Sequence, residues 1–142
     1  MAAKPVPRIN ATNAPFWQAC NDERVVLQRC ANPACSRFVY YPRVCCPHCH
    51  GGDLEWTEIV GHGRIVTYTV VHRVHHEGFA DEAPYIFAAV ELDEGPLVYA
   101  RLDAADEPGE ALIGRRVEPI FLRHTPDQKL LGFRPTRSPD AP

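Results

Sequence analysis

No stretch of the chain holds the run of about 18 apolar residues that a membrane-spanning helix needs, so no membrane span is expected. The opening residues Met1-Ala2-Ala3-Lys4-Pro5 lack the apolar core of a signal peptide, which points to the cytoplasm. No basic surplus exists: 15 Lys and Arg stand against 18 Asp and Glu, whereas a nucleic-acid binder usually carries an excess of cations. Ser-His-Asp, P-loop and Gly-rich dinucleotide signatures are all missing. The acidic pairs Asp22-Glu23, Asp81-Glu82, Asp93-Glu94 and Asp106-Glu107 fall in turn-like segments and read as solvated surface. The chain therefore shows a scaffold with no evident reaction centre and no catalytic residue of its own.

What is present is cysteine in close pairs, Cys30 with Cys35 and Cys46 with Cys49, the second within Cys46-Pro47-His48-Cys49. In a reducing compartment, paired cysteines on tight turns are metal ligands more often than disulfides. Ten residues lie between Cys35 and Cys46, enough for a strand out and back, so the pattern reads as a two-knuckle zinc ribbon. Four thiolates make a closed tetrahedral site that suits zinc, with iron in a rubredoxin-like site as the competitor. The first knuckle has four intervening residues where two are usual. Cys45 competes with Cys46, and His48 or His50 could replace a cysteine. Cys20 reads as a small hydrophobe. His72, His75 and His76 gather in and before the segment 74–84, which lacks a convergent third ligand but is long enough to touch a ligand. His75, His76 and Phe79 are its candidate contact residues.

With 14 prolines and 9 glycines, the chain suits short strands better than long helices. Residues 2–12 read as a loose arm. Asn13 then looks like a helix cap with Pro15 in the first turn, leading a short helix with Phe16, Trp17, Ala19 and Cys20 that stops near Asn21-Asp22. Strands are expected over 24–29, 38–41 and 54–59 in the ribbon, then over 63–73, 85–92, 97–102, 116–123 and 130–134. Pro119 marks an edge or a bulge. Five strands after Gly61 suit a small Greek-key barrel of the OB type. The expected organisation is an arm and helix over 1–23, a ribbon over 24–58, an OB-fold over 59–134 and a disordered tail over 135–142.

The order of these parts is recognisable. Pro15-Phe16-Trp17, Leu27-Gln28-Arg29-Cys30, Tyr41-Pro42-Arg43, Cys46-Pro47-His48-Cys49, Leu54-Glu55-Trp56, Gly61-His62-Gly63 and the hairpin from Val90-Glu91-Leu92 to Gly95 together resemble the zinc-ribbon OB-fold proteins associated with acyl-CoA metabolism. The resemblance covers roughly 13–134. It implies a rubredoxin-like ribbon followed by an OB-fold. It further implies a small subunit beside a thiolase-fold enzyme, a steroid side-chain aldolase or a hydratase, with benzoylsuccinyl-CoA thiolase-type complexes among the examples. In such complexes the partner carries the nucleophile, and the small subunit shapes access to its active site. Phe16, Trp17, Phe38, Tyr40 and Tyr41 are then the candidate partner surface, with a CoA ester at the shared site. The rival reading is a stand-alone OB module for CoA esters or single-stranded nucleic acid, with Tyr68, Tyr85, Phe87 and Tyr99 stacking and Arg64, Arg73, Arg101 and Arg123 meeting phosphates.

Overall fold

The computed structural model describes residues 3–104 and 112–136. The pair Asp106-Glu107 and nearly all of the expected tail lie outside the described residues. One helix, α1 (Ala14–Asn21), precedes strands β1 (Val25–Cys30), β2 (Phe38–Val39), β3 (Leu54–Ile59), β4 (Gly63–Val71), β5 (Tyr85–Leu92), β6 (Leu97–Leu102), β7 (Arg116–Thr125) and β8 (Gln128–Pro135). The first three strands form an antiparallel sheet in the order β2-β1-β3. The other five close into a barrel in the order β4-β5-β6-β8-β7. The chain is therefore mainly β: a short helix, a zinc ribbon and a five-stranded OB barrel.

At eight residues, α1 is too short to hold itself in water. Phe16, Ala19 and Cys20 recur at the i, i+3, i+4 spacing of one helical face, and all are buried. That face joins a single core with Val25 and Leu27 of β1 and with Ile65, Val90, Val98, Val117 and Phe133 of the barrel. The end of the helix also binds β8, where the Lys129 N–H donates to Asn21 Oδ1 at 2.8 Å. Asn13 holds the cap position without capping, since its side chain bonds no helical N–H. Its Oδ1 turns back to accept from the Asn10 N–H at 2.8 Å, and its Nδ2 donates to the Arg8 carbonyl at 3.1 Å.

Several expectations give way to tertiary contacts. The arm is fastened: Lys4 pairs with Glu82 at 2.8 Å, and His124 Nε2 donates to the Pro5 carbonyl at 2.6 Å. Two of the acidic pairs, Asp81-Glu82 and Asp93-Glu94, are not simply solvated. Glu82 also pairs with Arg101, Asp93 pairs with Arg116, and Glu94 Oε2 accepts from the Gly61 N–H at 3.5 Å. β2 ends at Val39 because Tyr40 and Tyr41 leave the sheet to pack against Phe16. β8 runs on through Pro135, which pairs with Val117, so the strand extends past the expected start of the tail. No register shift occurs at Pro119; it lies opposite Phe133 of β8, beyond the two residue pairs that tie β7 to β4. A proline there removes no bond from the β4 ladder.

The ribbon joins the barrel through Gly61. Its φ of +77° is a left-handed conformation, and a Cβ there would press on Val25 Cγ2 at 3.2 Å and Pro119 Cγ at 3.4 Å. Glycine lets the chain turn where the sheet, the barrel and their shared core meet.

Candidate metal centre and adjoining cavity

Each half of the ribbon delivers two thiols from a turn. β1 ends at Cys30, and its next N–H, of Ala31, donates to the Asp53 carbonyl at 2.9 Å. The long first knuckle is taken up by Asn32: its side-chain oxygen accepts from the Ala34 N–H at 3.0 Å, and its carbonyl accepts from Cys35 and Ser36, each at 2.9 Å. The second knuckle closes with the His50 N–H on the Cys46 carbonyl and the Cys46 N–H on the Gly51 carbonyl, both 2.8 Å. The Sγ atoms of Cys30, Cys35, Cys46 and Cys49 all lie within 4.8 Å of one another. Cys30 and Cys49 stand 3.5 Å apart, and Cys35 and Cys46 stand 3.7 Å apart. A tetrahedron of sulfurs about 2.3 Å from a central ion has edges of about 3.8 Å. The four thiols therefore fit a tetrahedral soft cation.

The cluster pulls two of its thiols in opposite directions. Burial works against the Cys46 thiolate, but the N–H groups of Cys49 and His48 and the facing thiols outweigh it and bring its pKa down to about 7. At Cys30 the Asn32 N–H favours the thiolate, yet burial and the other three thiols push the pKa up to about 12. Four thiols this close cannot all ionise without a cation between them. Cys45 is exposed and outside the cluster, His48 faces Arg37 at 3.3 Å, and the His50 backbone closes the turn. Neither histidine nor Cys45 lies in the four-thiol cluster. Cys20 is buried in the main core, and that burial raises its pKa to about 12 against a hydrogen bond from the Leu131 N–H. Among the described residues this is the one group of three or more such ligands close enough to share an ion.

The candidate partner aromatics are brought together, with one correction. Phe16 is 1% exposed and sits in the core, so its ring cannot meet a partner directly. It supports Trp17, Tyr40 and Tyr41, whose rings lie edge-on to it at 4.9, 5.8 and 5.9 Å. Tyr41 is exposed, and its hydroxyl accepts from Trp17 Nε1 at 2.7 Å and Asn13 Nδ2 at 3.1 Å. Phe38 stands apart under the Arg29 guanidinium at 5.1 Å.

Trp17 and Tyr40 also line a cavity of about 630 Å³ that sequence reasoning missed. It lies between α1, the segment before β5, β6 and the β7–β8 hairpin. Of the three candidate loop residues only Phe79 lines it, stacked on His124 at 5.8 Å. His75 is exposed, and His76 is spent on its own turn, with Nδ1 accepting from the Gly78 N–H at 3.0 Å. Beside Phe79, Glu82 links Lys4 to Arg101, whose guanidinium covers the Tyr85 ring at 4.1 Å. Burial opposes the Glu82 charge, but these two cations hold its carboxyl below the usual range. No helix among the described residues is long and apolar enough to cross a membrane.

Two family profiles cover most of the chain. Residues 17–55 match the rubredoxin-like zinc ribbon domain of ChsH2, and residues 56–122 match its C-terminal OB-fold domain. A probable enoyl-CoA hydratase alpha subunit of Thermomonospora curvata is 38% identical over 134 residues, 94% of this chain and 40% of that one. A DUF35 domain-containing scaffold protein of Methanocaldococcus jannaschii is 37% identical over 67% of this chain and 65% of its own length. This chain thus spans less than half of the hydratase subunit and about two thirds of the scaffold protein. Among solved structures, a chain of the Ltp2-ChsH2(DUF35) aldolase superposes with a TM-score of 0.78 at 38% identity, covering 92% of this chain and 98% of that one.

Proposed function

This chain belongs to the ChsH2 zinc-ribbon and OB-fold family, whose members include DUF35 scaffold proteins, and from that premise we propose that it is a non-catalytic accessory subunit of an acyl-CoA-processing complex. The observation that carries this reading is the match to the aldolase chain, which runs over nearly the whole of both chains. The hydratase alpha subunit supports the acyl-CoA class. The partner in this reading is a thiolase-fold or hydratase-fold enzyme that supplies the nucleophile and performs C–C bond cleavage or formation.

The ion in this reading is zinc, held by Cys30, Cys35, Cys46 and Cys49. Four protein thiolates leave no open position, so the ion would serve structure by clamping the end of β1 to both knuckles. Trp17, Phe38, Tyr40 and Tyr41 are the proposed partner surface, carried on α1 and around β2 so that the zinc ribbon fixes where they stand. The CoA ester then lies at the boundary between this subunit and the enzyme.

Affinity purification of the tagged full chain from its native cells, with mass spectrometry and metal analysis, tests the reading. A stoichiometric thiolase- or hydratase-fold partner and one zinc per chain are expected. A chain that purifies alone would overturn the accessory role.

A further inference from the structure

β4 and β5 pair as far as Val71, which lies opposite Tyr85. Residues 72–84 cross between them and belong to no strand. Their short turn, Glu77–Phe79, buries no residue, and neither apolar cluster includes a side chain from the segment. Such a segment opens at low cost, and lids are drawn from segments of this kind. Phe79, Glu82 and Pro84 of this segment line the cavity of about 630 Å³, as do Trp17 and Tyr40 from α1 and the ribbon.

Much of what holds the turn in place comes from the start of the chain. Lys4 Nζ pairs with Glu82 Oε2 at 2.8 Å and sits 5.7 Å from the centre of the Phe79 ring. The arm backbone lies against Gly78, where a Cβ would stand 3.1 Å from both Cα and Cγ of Lys4. One residue on, the Pro5 carbonyl accepts from His124 Nε2 of β7 at 2.6 Å, beside the stack of His124 on Phe79. Farther along, the arm is fastened again. Asn13 Nδ2 donates to the Arg8 carbonyl and to the Tyr41 hydroxyl, each at 3.1 Å, and that hydroxyl also accepts from Trp17 Nε1 at 2.7 Å. The arm thus ties the turn to the aromatic group at α1, two walls of one cavity. Among the described residues none of the arm lines the cavity, so the arm runs outside it. The Lys4 and Glu82 side chains are 24% and 28% exposed. An ion pair and one hydrogen bond at that depth have the strength of a latch, not of a core.

We propose that residues 4–13 are a strap that keeps the 77–82 turn shut against β6 and β7, and that release of Lys4 and Pro5 lets the turn swing out and opens the cavity to small molecules. With the arm released, the turn is left with the Glu82–Arg101 contact and the Phe79–His124 stack. Both strands it rests on stay paired within the barrel, so the motion is confined to the turn and the arm. The strap governs how the cavity opens and does not depend on the accessory-subunit reading.

The test compares the full-length, metal-loaded chain with Lys4→Met, which loses the charge, with His124→Phe, which loses the donor to Pro5 but keeps a ring on Phe79, and with the double variant. One readout is amide exchange in the turn, where the N–H groups of Phe79, Ala80 and Glu82 donate to the carbonyls of His76, Glu77 and Phe79. The other is the rate at which the dye N-phenylnaphthylamine enters. The dye is neutral because Glu82 and Asp103 line the cavity together with Arg101 and Arg123. Each single variant should speed both readouts by up to about fivefold, and the double variant by more than either. The amides of Val90 and Val98 in the barrel should keep their protection. Dye that enters the variants but not the unaltered chain would support the strap most directly. Four results would overturn it: unchanged turn amides in the double variant, turn amides that open while dye entry stays the same, dye that enters none of these proteins, or barrel amides that speed up as much as those of the turn. Should His124→Phe fail to fold, Lys4→Met decides the matter by itself.

Discussion

The ribbon tip and the barrel solve the same problem by different means. The apolar cluster at the ribbon tip is small: Cys30, Val39 and Cys46, with Cys35 and Leu54 at the margin. The barrel buries Ile65, Val90, Val98, Val117 and Phe133 together with Phe16 of the helix and Val25 and Leu27 of β1. The base of the ribbon thus belongs to the barrel's core, and only its tip depends on thiols. The border between the two clusters falls inside β1, between Leu27 and Cys30, although the strand is continuous. A cluster of that size cannot offset the chain entropy of ordering two knuckles, whereas a bound metal can.

Metal removal should therefore produce the largest effect and the most local one. Structural zinc sites contribute roughly 10–16 kcal/mol of binding free energy near neutral pH. Chelation, or Cys46→Ser, should abolish hydrogen-exchange protection over residues 30–53 while β5 and β6 keep theirs. If the barrel amides lost protection at the same step, the two regions would be one cooperative unit and the contrast would fail.

Barrel substitutions should cost less in total and spread further. Phe133→Ala removes a ring that is 1% exposed, and a buried Phe→Ala change costs about 3–5 kcal/mol. Phe16→Ala should cost a similar amount and release β1 together with the barrel, because its ring packs on both. A loss confined to α1 in denaturant unfolding would detach the helix from the core. Gly63→Ala should destabilise the barrel by about 1–3 kcal/mol through overpacking, since a Cβ there would overlap the Glu91 carbonyl of β5 and crowd Val90 Cγ1 at 2.8 Å.

These contrasts also explain what the sequence could reveal. β3, β5 and β6 match the expected ranges residue for residue, because glycine or proline turns bracket their apolar runs. The four thiols were readable because knuckle spacing is local, whereas the competition of Cys45 with Cys46 is settled in the fold, where only Cys46 joins the cluster. Phe16 was misplaced on the surface although its i, i+3, i+4 relation to Ala19 and Cys20 marks a buried face; Trp17 lies off that stripe and stays half-exposed. β2 was drawn too long because Tyr40 and Tyr41 have strand propensity, which packing against α1 overrides. Other features depend on residues far apart in the chain. Lys4 of the arm reaches Glu82, and Asn21 at the end of α1 takes the Lys129 N–H of β8.

A smaller effect separates partner binding from folding. Trp17 is half-exposed at the join between α1 and the ribbon. Trp17→Ala should weaken complex formation with the enzyme partner more than it lowers stability, as read by co-purification yield beside a urea midpoint. Equal losses would mark Trp17 as ordinary packing.

The smallest effect lies at the Asp93–Arg116 pair, where the β5–β6 turn is tied to the start of β7. Both guanidinium N–H groups reach the carboxylate at 2.7 Å. The Arg116 hydrogen bonds outweigh the cost of burial and hold the Asp93 carboxyl below its usual range. The folded pKa is thus lower than the unfolded one, so on acidification the unfolded chain takes up the proton first. The pair contributes fully above about pH 4, the unfolded value, and its contribution fades as the pH falls through the lowered folded value. The Asp93 side chain is 51% exposed and that of Arg116 10%. Water screens the pair from the aspartate side, so about 1 kcal/mol or less is expected. Asp93→Asn should then lower barrel stability by that amount at pH 7, and the gap from the unaltered protein should close in strong acid. Acid also protonates the thiolates and releases the metal, so global melting would mix the two regions. Exchange of β5 and β6 amides reads the barrel alone. A gap of constant size from neutral to acid pH would show that the carboxylate charge plays no part in holding the turn.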